Sequence, residues 1–352
     1  MSSRRKVLIV DDSALVRQVM SRILSAHPGL EVVGTAADPY EAREQIIRLQ
    51  PDVLTVDIEM PRMDGLTFLG KLMKAHPMPV VVVSSLTAKG TEVAMEALRL
   101  GAAEVLGKPG GSAGLGLERL GEEIAEAVHE ASFVQVARRP APSAPPASLR
   151  PRGETPLRAR PDRLILLGAS TGGTEALRHV FEALPAGLPP IAVVQHILPG
   201  FTAAYAQRLD SLSAVRVKEA EDRERLLPGT AYLAPSQVHL RVQATGDGGW
   251  QAAVAPGERI RNHLPAAEAL FQSAAESGGA PRVLGVLLTG MGDDGARGLL
   301  ALRRAGALTL GQDEATSVVY GMPRAAWELG AVARQLPLGE VAPEIVRWAQ
   351  SA

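Results

Sequence analysis

A proline-rich stretch in the middle of the chain limits what this sequence can fold into more than any other feature. From Arg138 to Pro161, seven of 24 residues are proline and six are arginine, and large apolar side chains are scarce. Such a segment cannot bury a hydrophobic core, and its prolines favour an extended conformation. We therefore expect two folded domains, residues 1–136 and 162–352, joined by an exposed Pro/Arg-rich linker at residues 137–161.

Composition narrows the class of protein before any motif is considered. The 352 residues carry 37 Lys and Arg against 38 Asp and Glu, so no overall field favours nucleic acid or an anionic membrane. The apolar fraction of 46% and the charged fraction of 21% are typical of a soluble globular protein. We recognise neither a secretory signal nor an apolar run near the roughly 20 residues of a membrane span, which predicts a cytoplasmic location.

The absence of cysteine limits the chemistry that the chain can perform. Disulfides, thiolate nucleophiles and cysteine-ligated zinc are excluded. Any nucleophile must therefore be a serine, a threonine, a lysine or a carboxylate.

The first domain alternates short aliphatic runs with longer segments of helical periodicity. Continuous Val, Ile and Leu runs suit strands that are buried on both faces, and the segments between them supply right-handed crossovers. We therefore predict an α/β fold, a doubly wound parallel sheet of five strands and five helices. The predicted strands are Val7–Val10, Glu31–Val33, Val53–Val56, Val80–Val83 and Glu104–Leu106.

The second domain repeats this alternation less regularly, and we again predict an α/β fold with a mostly parallel sheet. Two further segments, Tyr232–Ala234 and Val238–Val242, lead to the turn-rich stretch Thr245–Gly249, which suggests an antiparallel hairpin on one edge. The predicted parallel strands are Leu164–Leu167, Ile191–Val194, Val283–Leu288 and Ala307–Leu310.

Polar residues follow several predicted strands of the first domain. Asp11, Asp12, Asp57, Ser84 and Lys108 all stand where a strand ends, so they should meet at one edge of a parallel sheet. Clustered carboxylates suit Mg²⁺, and a carboxylate beside that ion can accept a phosphoryl group whose oxygens Ser84 and Lys108 hold. Any one aspartate alone would more simply cap the helix that follows.

Taken together, these residues resemble a response-regulator receiver domain, and the resemblance covers the whole first domain. It implies a flavodoxin-like fold. The matching segments are Val7–Asp12, Asp57 with Met60-Pro61 and Asp64-Gly65, Ser84, and Lys108-Pro109.

The resemblance implies that Asp57 is phosphorylated by a histidine kinase. It also implies a Mg²⁺ site at Asp11, Asp12 and Asp57, with the carbonyl of Glu59 as a further ligand. One departure is Val105, since many receivers carry an aromatic switch residue two or three positions before the lysine.

A serine of the second domain lies in a glycine-rich turn. Ser170 sits within Gly168–Gly173 (GASTGG), between a predicted strand and a predicted helix. Glycines permit a sharp turn, and free N–H groups at a helix start could stabilise an oxyanion. The same pattern also describes a loop that cradles phosphate, so the turn alone leaves catalysis and nucleotide binding open.

A histidine and an aspartate could complete a catalytic site with that serine. His196 ends the predicted strand beginning at Ile191, and Asp294 follows the strand that begins at Val283, although it could equally cap the next helix. His239 and His263 are further candidates, for substrate contact.

The second domain resembles the catalytic domain of CheB-type protein-glutamate methylesterases. The resemblance implies a Rossmann-like domain with catalytic residues Ser170, His196 and Asp294, and with the N–H groups of Thr171 and Met291 as oxyanion donors. The matching segments are Gly168–Gly173, Gln195-His196, Tyr232–Pro235, Thr289–Gly295 and Tyr320–Pro323.

Two segments depart from that family. Ile197-Leu198 stand where Met-Pro is usual, and His263–Ala266 (HLPA) replaces a common His-Arg-Pro-Ser. These changes leave the catalytic residues intact but bear on receptor specificity.

The combined resemblance implies a phosphorylation-regulated serine hydrolase that removes methyl esters from glutamates of chemoreceptors and releases methanol. The same acyl-enzyme would support deamidation of receptor glutamines. We expect no cofactor for the esterase chemistry and Mg²⁺ for phosphorylation. The expected partners are the cytoplasmic helices of methylated chemoreceptors and a CheA-type histidine kinase, without nucleic acid or membrane insertion.

The resemblance also implies that the unphosphorylated receiver covers the catalytic residues. The alternatives are a receiver joined to a noncatalytic scaffold or to a nucleotide-binding output module.

Overall fold

The computed structural model of the chain describes residues 4–85, 88–108, 121–134, 160–197 and 199–351. Two compact units are present, and the division between them falls at Pro142/Ser143. The proposed linker, residues 137–161, lies outside the described residues except for Arg160 and Pro161.

The N-terminal unit is a five-stranded parallel sheet flanked by helices, which confirms the predicted fold class. Its strands are β1 (Arg5–Val10), β2 (Leu30–Ala36), β3 (Val53–Asp57), β4 (Val80–Ser85) and β5 (Glu104–Lys108). Its helices are α1 (Ala14–Ala26), α2 (Pro39–Leu49), α3 (Gly65–Ala75), α4 (Ala88–Leu100) and α5 (Gly121–Ala131). The strand order is β2-β1-β3-β4-β5, so the chain reverses direction across the sheet between β1 and β3. Ligands of such sheets bind at the carboxyl ends of the strands beside this reversal.

Short polar residues set the starts of the helices in this unit. The hydroxyl of Ser13 accepts a hydrogen bond from the N–H of Val16 at the start of α1. The carboxylates of Asp38 and Asp64 cap α2 and α3 in the same way. Because a capping side chain satisfies helix N–H groups that have no partner within the helix, these residues determine where each crossover begins.

The C-terminal unit is built on a seven-stranded sheet in which every pair of neighbours is parallel. Its strands are β6 (Leu164–Ala169), β7 (Ile191–Gln195), β8 (Arg216–Glu219), β10 (Thr230–Leu233), β13 (Val283–Leu287), β14 (Leu308–Gln312) and β15 (Arg334–Leu336). The strands β9 (Arg225–Leu226), β11 (His239–Ala244) and β12 (Trp250–Ala255) form a separate antiparallel sheet. The main helices are α6 (Gly173–Ala183), α7 (Thr202–Leu212), α8 (Ala267–Glu276), α9 (Ala296–Arg304), α10 (Met322–Glu328) and α11 (Leu338–Gln350).

The strand order of the large sheet is β15-β14-β13-β6-β7-β10-β8. From β6 the chain runs outward through β7, and it later returns to the other side of β6 at β13. The reversal therefore lies at β6, and the carboxyl ends of β13, β6 and β7 stand side by side. This is where a parallel α/β sheet places its functional residues.

The antiparallel insertion that we predicted is present, as a separate three-stranded sheet and not on an edge of the large sheet. Of the two segments that lead to its turn, Tyr232–Ala234 lies at the end of β10, which pairs in parallel with β7 and β8 inside the large sheet. All four residues of β10 are buried, as two-sided packing requires. The hairpin itself joins β11 to β12 through the turn-rich stretch Thr245–Gly249 and belongs to the small sheet.

Aliphatic side chains form most of the core of the C-terminal unit, as the scarcity of aromatic residues requires. The largest side chain in this core, that of Trp250, is fully buried, and its indole N–H donates to the carbonyl of Asp162 at 3.0 Å. Among the described residues, no helix is both long enough and apolar enough to cross a membrane.

Candidate functional sites

Ser170 lies in the turn between β6 and α6. Its N–H donates to the carbonyl of Thr289 at 3.0 Å, and its own carbonyl accepts from the N–H of Gly173 at 2.6 Å. Gly172 has a φ of 76°, in the left-handed region that favours glycine. A Cβ on Gly173 would stand 2.1 Å from the Oε1 atom of Gln195, so the tight turn requires both glycines.

His196 follows β7 and contacts both of the other predicted catalytic residues. Its Nδ1 atom lies 3.0 Å from the hydroxyl of Ser170, and its Nε2 atom lies 2.8 Å from Oδ2 of Asp294. An ionised carboxylate can only accept a hydrogen bond, so the ring proton sits on Nε2 and Nδ1 is left to accept from the serine. The three residues therefore form a continuous Ser–His–Asp chain.

The carboxylate of Asp294 is completely buried, and it is satisfied by more than the histidine. It accepts hydrogen bonds from the N–H of Ala267 at 2.7 Å and of Glu268 at 3.0 Å, in the first turn of α8. Burial alone would raise the pKa of Asp294, but the hydrogen bond and the charge of His196 hold this pKa below its usual value. The carboxylate is thus kept ionised where it faces the histidine.

The sequence left open whether Asp294 caps α9, the helix that follows it, and the structure shows that it does not. It binds the start of α8 instead, where the N-cap residue Ala266 has no capping side chain. The neighbouring Asp293 points elsewhere and pairs with Arg261 at 3.3 Å.

Gln195 is a residue of the site that the sequence analysis named only within a matching segment, without a role. Its side-chain amide donates to the carbonyl of Ser170 and to the carbonyl of His196, each at 2.9 Å. Its Oε1 atom is buried with no hydrogen-bond partner among the described residues. An unpaired buried oxygen lowers the stability of the fold. The two hydrogen bonds that the same amide donates, which connect the backbones of Ser170 and His196, offset this cost. The available signal was a polar residue at the end of a fully buried strand.

A second loop is bonded tightly to the serine turn. The hydroxyl of Thr289 donates to the carbonyl of Thr171 at 3.0 Å and accepts from the N–H of Val319 at 2.9 Å. The carbonyl of Gly290 accepts from the N–H groups of Gly321 and Met322. These bonds hold the segment that carries Met291 beside the segment that carries Thr171, and the role of their N–H groups as oxyanion donors stays a prediction.

The two histidines considered for substrate contact, His239 and His263, differ in their surroundings. His239 is completely buried, and its ring bonds the carbonyl of Glu258 and the N–H of Ala266, so it supports a loop and is not available to substrate. His263 stacks on His196, with 3.7 Å between ring centroids and 13° between ring planes.

In the N-terminal unit, three carboxylates converge where the chain reverses across the sheet. Asp11 and Asp12 follow β1, and Asp57 ends β3. One carboxylate oxygen from each lies within 4.8 Å of the others. The arginine side chain of Arg17 donates to the carbonyls of Asp11 and Asp12, and Ser13 caps α1, so the carboxylate of Asp12 does not serve as the cap.

This cluster has the donor chemistry of a Mg²⁺ site. Asp11 and Asp57 are 3% and 6% exposed, so their charges are poorly screened by water, while the exposed Asp12 keeps one side open to solvent ligands. Hard oxygen donors with open positions for water and phosphate are what Mg²⁺ prefers. Glu59 stands two residues after Asp57, and the role of its carbonyl as a ligand stays a prediction.

The phosphate-binding prediction concerns Ser84 and Lys108. Their backbones lie near the carboxyl ends of β4 and β5, where Ser84 pairs with Gly107 and Ser85 with Lys108. Their side chains lie outside what the structure describes. Val105, at the position of the aromatic switch residue of many receivers, is a buried residue of β5.

The fold and the two sites define a class of protein, in which a receiver-type domain with a carboxylate cluster is joined on one chain to an α/β domain that holds a hydrogen-bonded Ser–His–Asp chain. Comparison with known protein families agrees with this combination of two domains. The response regulator receiver domain matches residues 7–116, and the CheB methylesterase domain matches residues 165–345. The chain therefore belongs to the CheB methylesterase family.

Related proteins resemble the chain along nearly its whole length. A protein-glutamate methylesterase/protein-glutamine glutaminase 1 of Xanthomonas campestris pv. campestris is 50% identical, over 99% of this chain and 98% of its own. A protein-glutamate methylesterase/protein-glutamine glutaminase of Bordetella parapertussis is 51% identical, over 97% and 96%. The crystal structure of the Thermotoga maritima CheB methylesterase catalytic domain has a TM-score of 0.51 at 36% identity, covering 53% of this chain and 97% of that one.

The two departures from the family pattern lie close to the histidines. Ile197 directly follows His196, and Leu198 lies outside the described residues. His263–Ala266 leads into α8, so this departure stands beside the bonds that the carboxylate of Asp294 makes to that helix.

Proposed function

We propose that this protein hydrolyses γ-methyl esters of glutamate side chains in chemoreceptors, with Ser170 as nucleophile, and that its receiver controls this activity. The observation that carries the proposal is the hydrogen-bonded chain from Ser170 through His196 to Asp294. This chain supports the proposal because it would supply a nucleophile, a base and an orienting carboxylate at the carboxyl ends of the strands, where α/β sheets bind ligands.

Each residue of this hydrogen-bonded chain would carry one part of the reaction. Nδ1 of His196 takes the proton of Ser170 as the hydroxyl oxygen attacks the ester carbonyl, and the same proton passes to the departing methoxide, which leaves as methanol. Water then attacks the acyl-enzyme with His196 again as base, so glutamate and free Ser170 are restored. The N–H groups of Thr171 and Met291 would stabilise the oxyanion of each tetrahedral intermediate.

Asp294 serves both steps without changing its protonation. The buried carboxylate accepts from Nε2 of His196 and so fixes the tautomer in which Nδ1 is free to act as a base. When the ring becomes an imidazolium, the adjacent negative charge stabilises it.

The same site supports deamidation of receptor glutamines. Attack of Ser170 on a side-chain amide yields the same glutamyl ester of the enzyme, with ammonia as leaving group and His196 as the proton donor. The relatives from Xanthomonas and Bordetella carry both activities in their names.

The receiver would supply the regulation. Asp57 is the proposed phosphoacceptor, and a CheA-type histidine kinase is the proposed donor. Asp11, Asp12 and Asp57, with the carbonyl of Glu59, would hold Mg²⁺, which when bound neutralises charge on the phosphoryl oxygens. Ser84 and Lys108 would contact those oxygens from the ends of β4 and β5, and the cytoplasmic helices of methylated chemoreceptors are the proposed substrates.

Methanol release from a methylated receptor fragment tests the proposal. Wild type and Ser170→Ala would be compared, each with and without a small-molecule phosphodonor, and Ser211→Ala, at an exposed serine of α7, is the matched control. Removing the nucleophile of a working triad lowers turnover by about 10⁶. We expect release that requires Ser170 and rises with phosphodonor. Absence of release by the wild type would favour a noncatalytic scaffold.

A further inference from the structure

A second imidazole covers one face of the candidate catalytic histidine. The His263 ring lies 3.7 Å from that of His196 between centroids, and the two planes differ by only 13°. The hydrogen bonds to Ser170 and Asp294 use the two ring nitrogens of His196. The His263 ring therefore contacts a face of the His196 ring that these bonds leave free.

A tight turn holds His263 in this position. The backbones of Ile260 and His263 exchange two hydrogen bonds, of 3.0 and 2.9 Å. The two residues between them, Arg261 and Asn262, have φ values of 52° and 65°, as a two-residue type I′ turn requires. Such a turn strains arginine, so the conformation is imposed by its surroundings.

Contacts on both sides fix the turn to the site. The Arg261 guanidinium pairs with Asp293 at 3.3 Å, one residue before the carboxylate that binds His196. On the other side, the ring of His239 bonds the carbonyl of Glu258 and the N–H of Ala266, on either side of the turn. The position of the His263 ring is thus fixed by its own turn, by Asp293 and by the ring of His239.

The surroundings of His263 keep its ring uncharged. Burial, followed by the positive charge of His196, lowers the pKa of His263 to about 3, and Arg259 acts in the same direction while Asp294 opposes them. The Arg261–Asp293 pair on the adjacent turn is a further pair of charges near the ring. At neutral pH a neutral aromatic face therefore covers His196, and His263 itself adds no positive charge beside the imidazolium that forms during catalysis.

We propose that His263 is a positioning residue that keeps the His196 ring between Ser170 and Asp294 and stabilises its imidazolium form through the stacked face. A cation is attracted to the face of an aromatic ring, and more strongly where water is excluded. The stacked ring also hinders rotation of His196 away from its two hydrogen bonds. The inference rests on the proposed esterase function, because it assigns the stack a role in that reaction.

The test separates an aromatic face from simple packing. His263→Leu keeps an apolar side chain over His196 but removes the π face, and His263→Phe restores the face without a titratable group. His179→Leu, at an exposed histidine of α6, is the matched control. Each full-length variant would be assayed for kcat and KM on the methylated receptor fragment across pH, and the titration of His196 would be followed by NMR of the imidazole ring.

We expect His263→Leu to lower kcat about tenfold with little change in KM. The acid limb of the pH profile of kcat should move to lower pH by about one unit, because the imidazolium loses the stabilisation that the stacked face provides. His263→Phe should restore most of both. Should the leucine variant not fold, His263→Met removes the face with a flexible side chain.

Two results would overturn the inference: an unchanged His196 titration in His263→Leu, or a phenylalanine variant that behaves like the leucine one. The NMR titration does not depend on turnover, so it reports on the stack even if the wild type releases no methanol. Failure of the proposed function and failure of this inference are therefore distinguishable.

Discussion

Nδ1 of His196 lies 3.0 Å from the hydroxyl of Ser170, so this histidine meets its serine through the ring nitrogen opposite to that used in the familiar serine-protease triad. Nε2 is correspondingly the atom that faces Asp294, at 2.8 Å. The roles of the three residues are unchanged, but the required tautomer is the one protonated at Nε2. The environment of Asp294 enforces this tautomer because that carboxylate is buried and held ionised.

Replacing Asp294 with Asn should therefore cripple catalysis while leaving the fold. The neutral amide no longer selects the Nε2–H tautomer, and we expect kcat to fall by about 10⁴. Weaker capping of α8 should lower the unfolding free energy by about 1 kcal/mol. Methanol release and thermal unfolding measure the two effects. Asp222→Asn, at an exposed aspartate, is the control, and an equal loss of kcat in both variants would contradict the assignment.

Gln195→Met removes the two hydrogen bonds that join the backbones of Ser170 and His196. The carbonyls of Ser170 and His196 each lose one donor, although the Ser170 carbonyl keeps the N–H of Gly173, so we expect a loss of about 1 to 2 kcal/mol in unfolding free energy, partly offset by removal of the unpaired Oε1. The serine–histidine distance should also become less well defined, which lowers kcat more than it changes KM. Exposed Gln243→Met is the control for side-chain chemistry. A wild-type kcat in Gln195→Met would show that these two hydrogen bonds have no part in positioning Ser170 and His196.

Asp57→Ala should abolish stimulation by a phosphodonor and leave the basal hydrolysis that depends on Ser170. Asp57, at the end of β3, is the carboxylate to which the phosphoryl group would be transferred, and alanine removes it. Methanol release with and without the phosphodonor measures it. Glu44→Gln, at an exposed position of α2, should respond like the wild type. Retained stimulation in Asp57→Ala would exclude this residue as the phosphoacceptor.

Asp12→Asn should raise the Mg²⁺ concentration needed for phosphorylation without unfolding the receiver. Asp12 is exposed, so the change costs little stability, but it removes one of three negative charges that face the proposed cation. We expect the half-saturating Mg²⁺ concentration to rise about tenfold or more. Phosphoryl incorporation titrated with Mg²⁺ is the measurement, and a chelator should suppress it in the wild type. An unchanged titration would place the cation elsewhere.

Glu104 should make the receiver lose stability as the pH rises. Burial raises the pKa of this carboxyl to about 8, from a usual value of about 4.5. Between these values the folded state keeps a proton that the unfolded state has released, so unfolding becomes easier with increasing pH. Glu104→Gln should remove this dependence. Hydrogen exchange of β5 in the full chain, followed from pH 5 to 8, measures it, and parallel profiles for both proteins would refute the assignment.

The α/β character of both domains could be predicted because it depends on local patterning. Runs such as Val7–Val10 and Leu164–Leu167 are apolar on both faces, and only a covered parallel sheet accommodates such strands. Prediction failed for short or charged strands. β8 reads Arg-Val-Lys-Glu and β15 has three residues, and both are edge strands held by a single neighbour. The pairing partner determines such strands more than their own sequence does.

Candidate site residues could be predicted where a polar side chain follows a buried strand. Ser170, His196 and Asp294 follow β6, β7 and β13, which the sheet order places side by side, and the distances among them agree with the predicted triad. The stacking of His263 could not be found in this way, because its ring arrives from a turn that no strand end marks. Gln195 is the last residue of the buried strand β7, which signalled a site residue but not the bonds that its side chain makes.

By itself, the sequence determined the α/β fold class and the candidate residues for the chemistry, because strand burial and strand-end position are local properties. The tertiary structure alone decided how those residues act together. Which nitrogen of His196 meets Ser170, which helix Asp294 caps, and which ring covers His196 all depend on contacts between segments tens of residues apart. Such contacts are set by packing and by the requirement that buried polar groups find partners, and neither condition can be evaluated before the chain has folded.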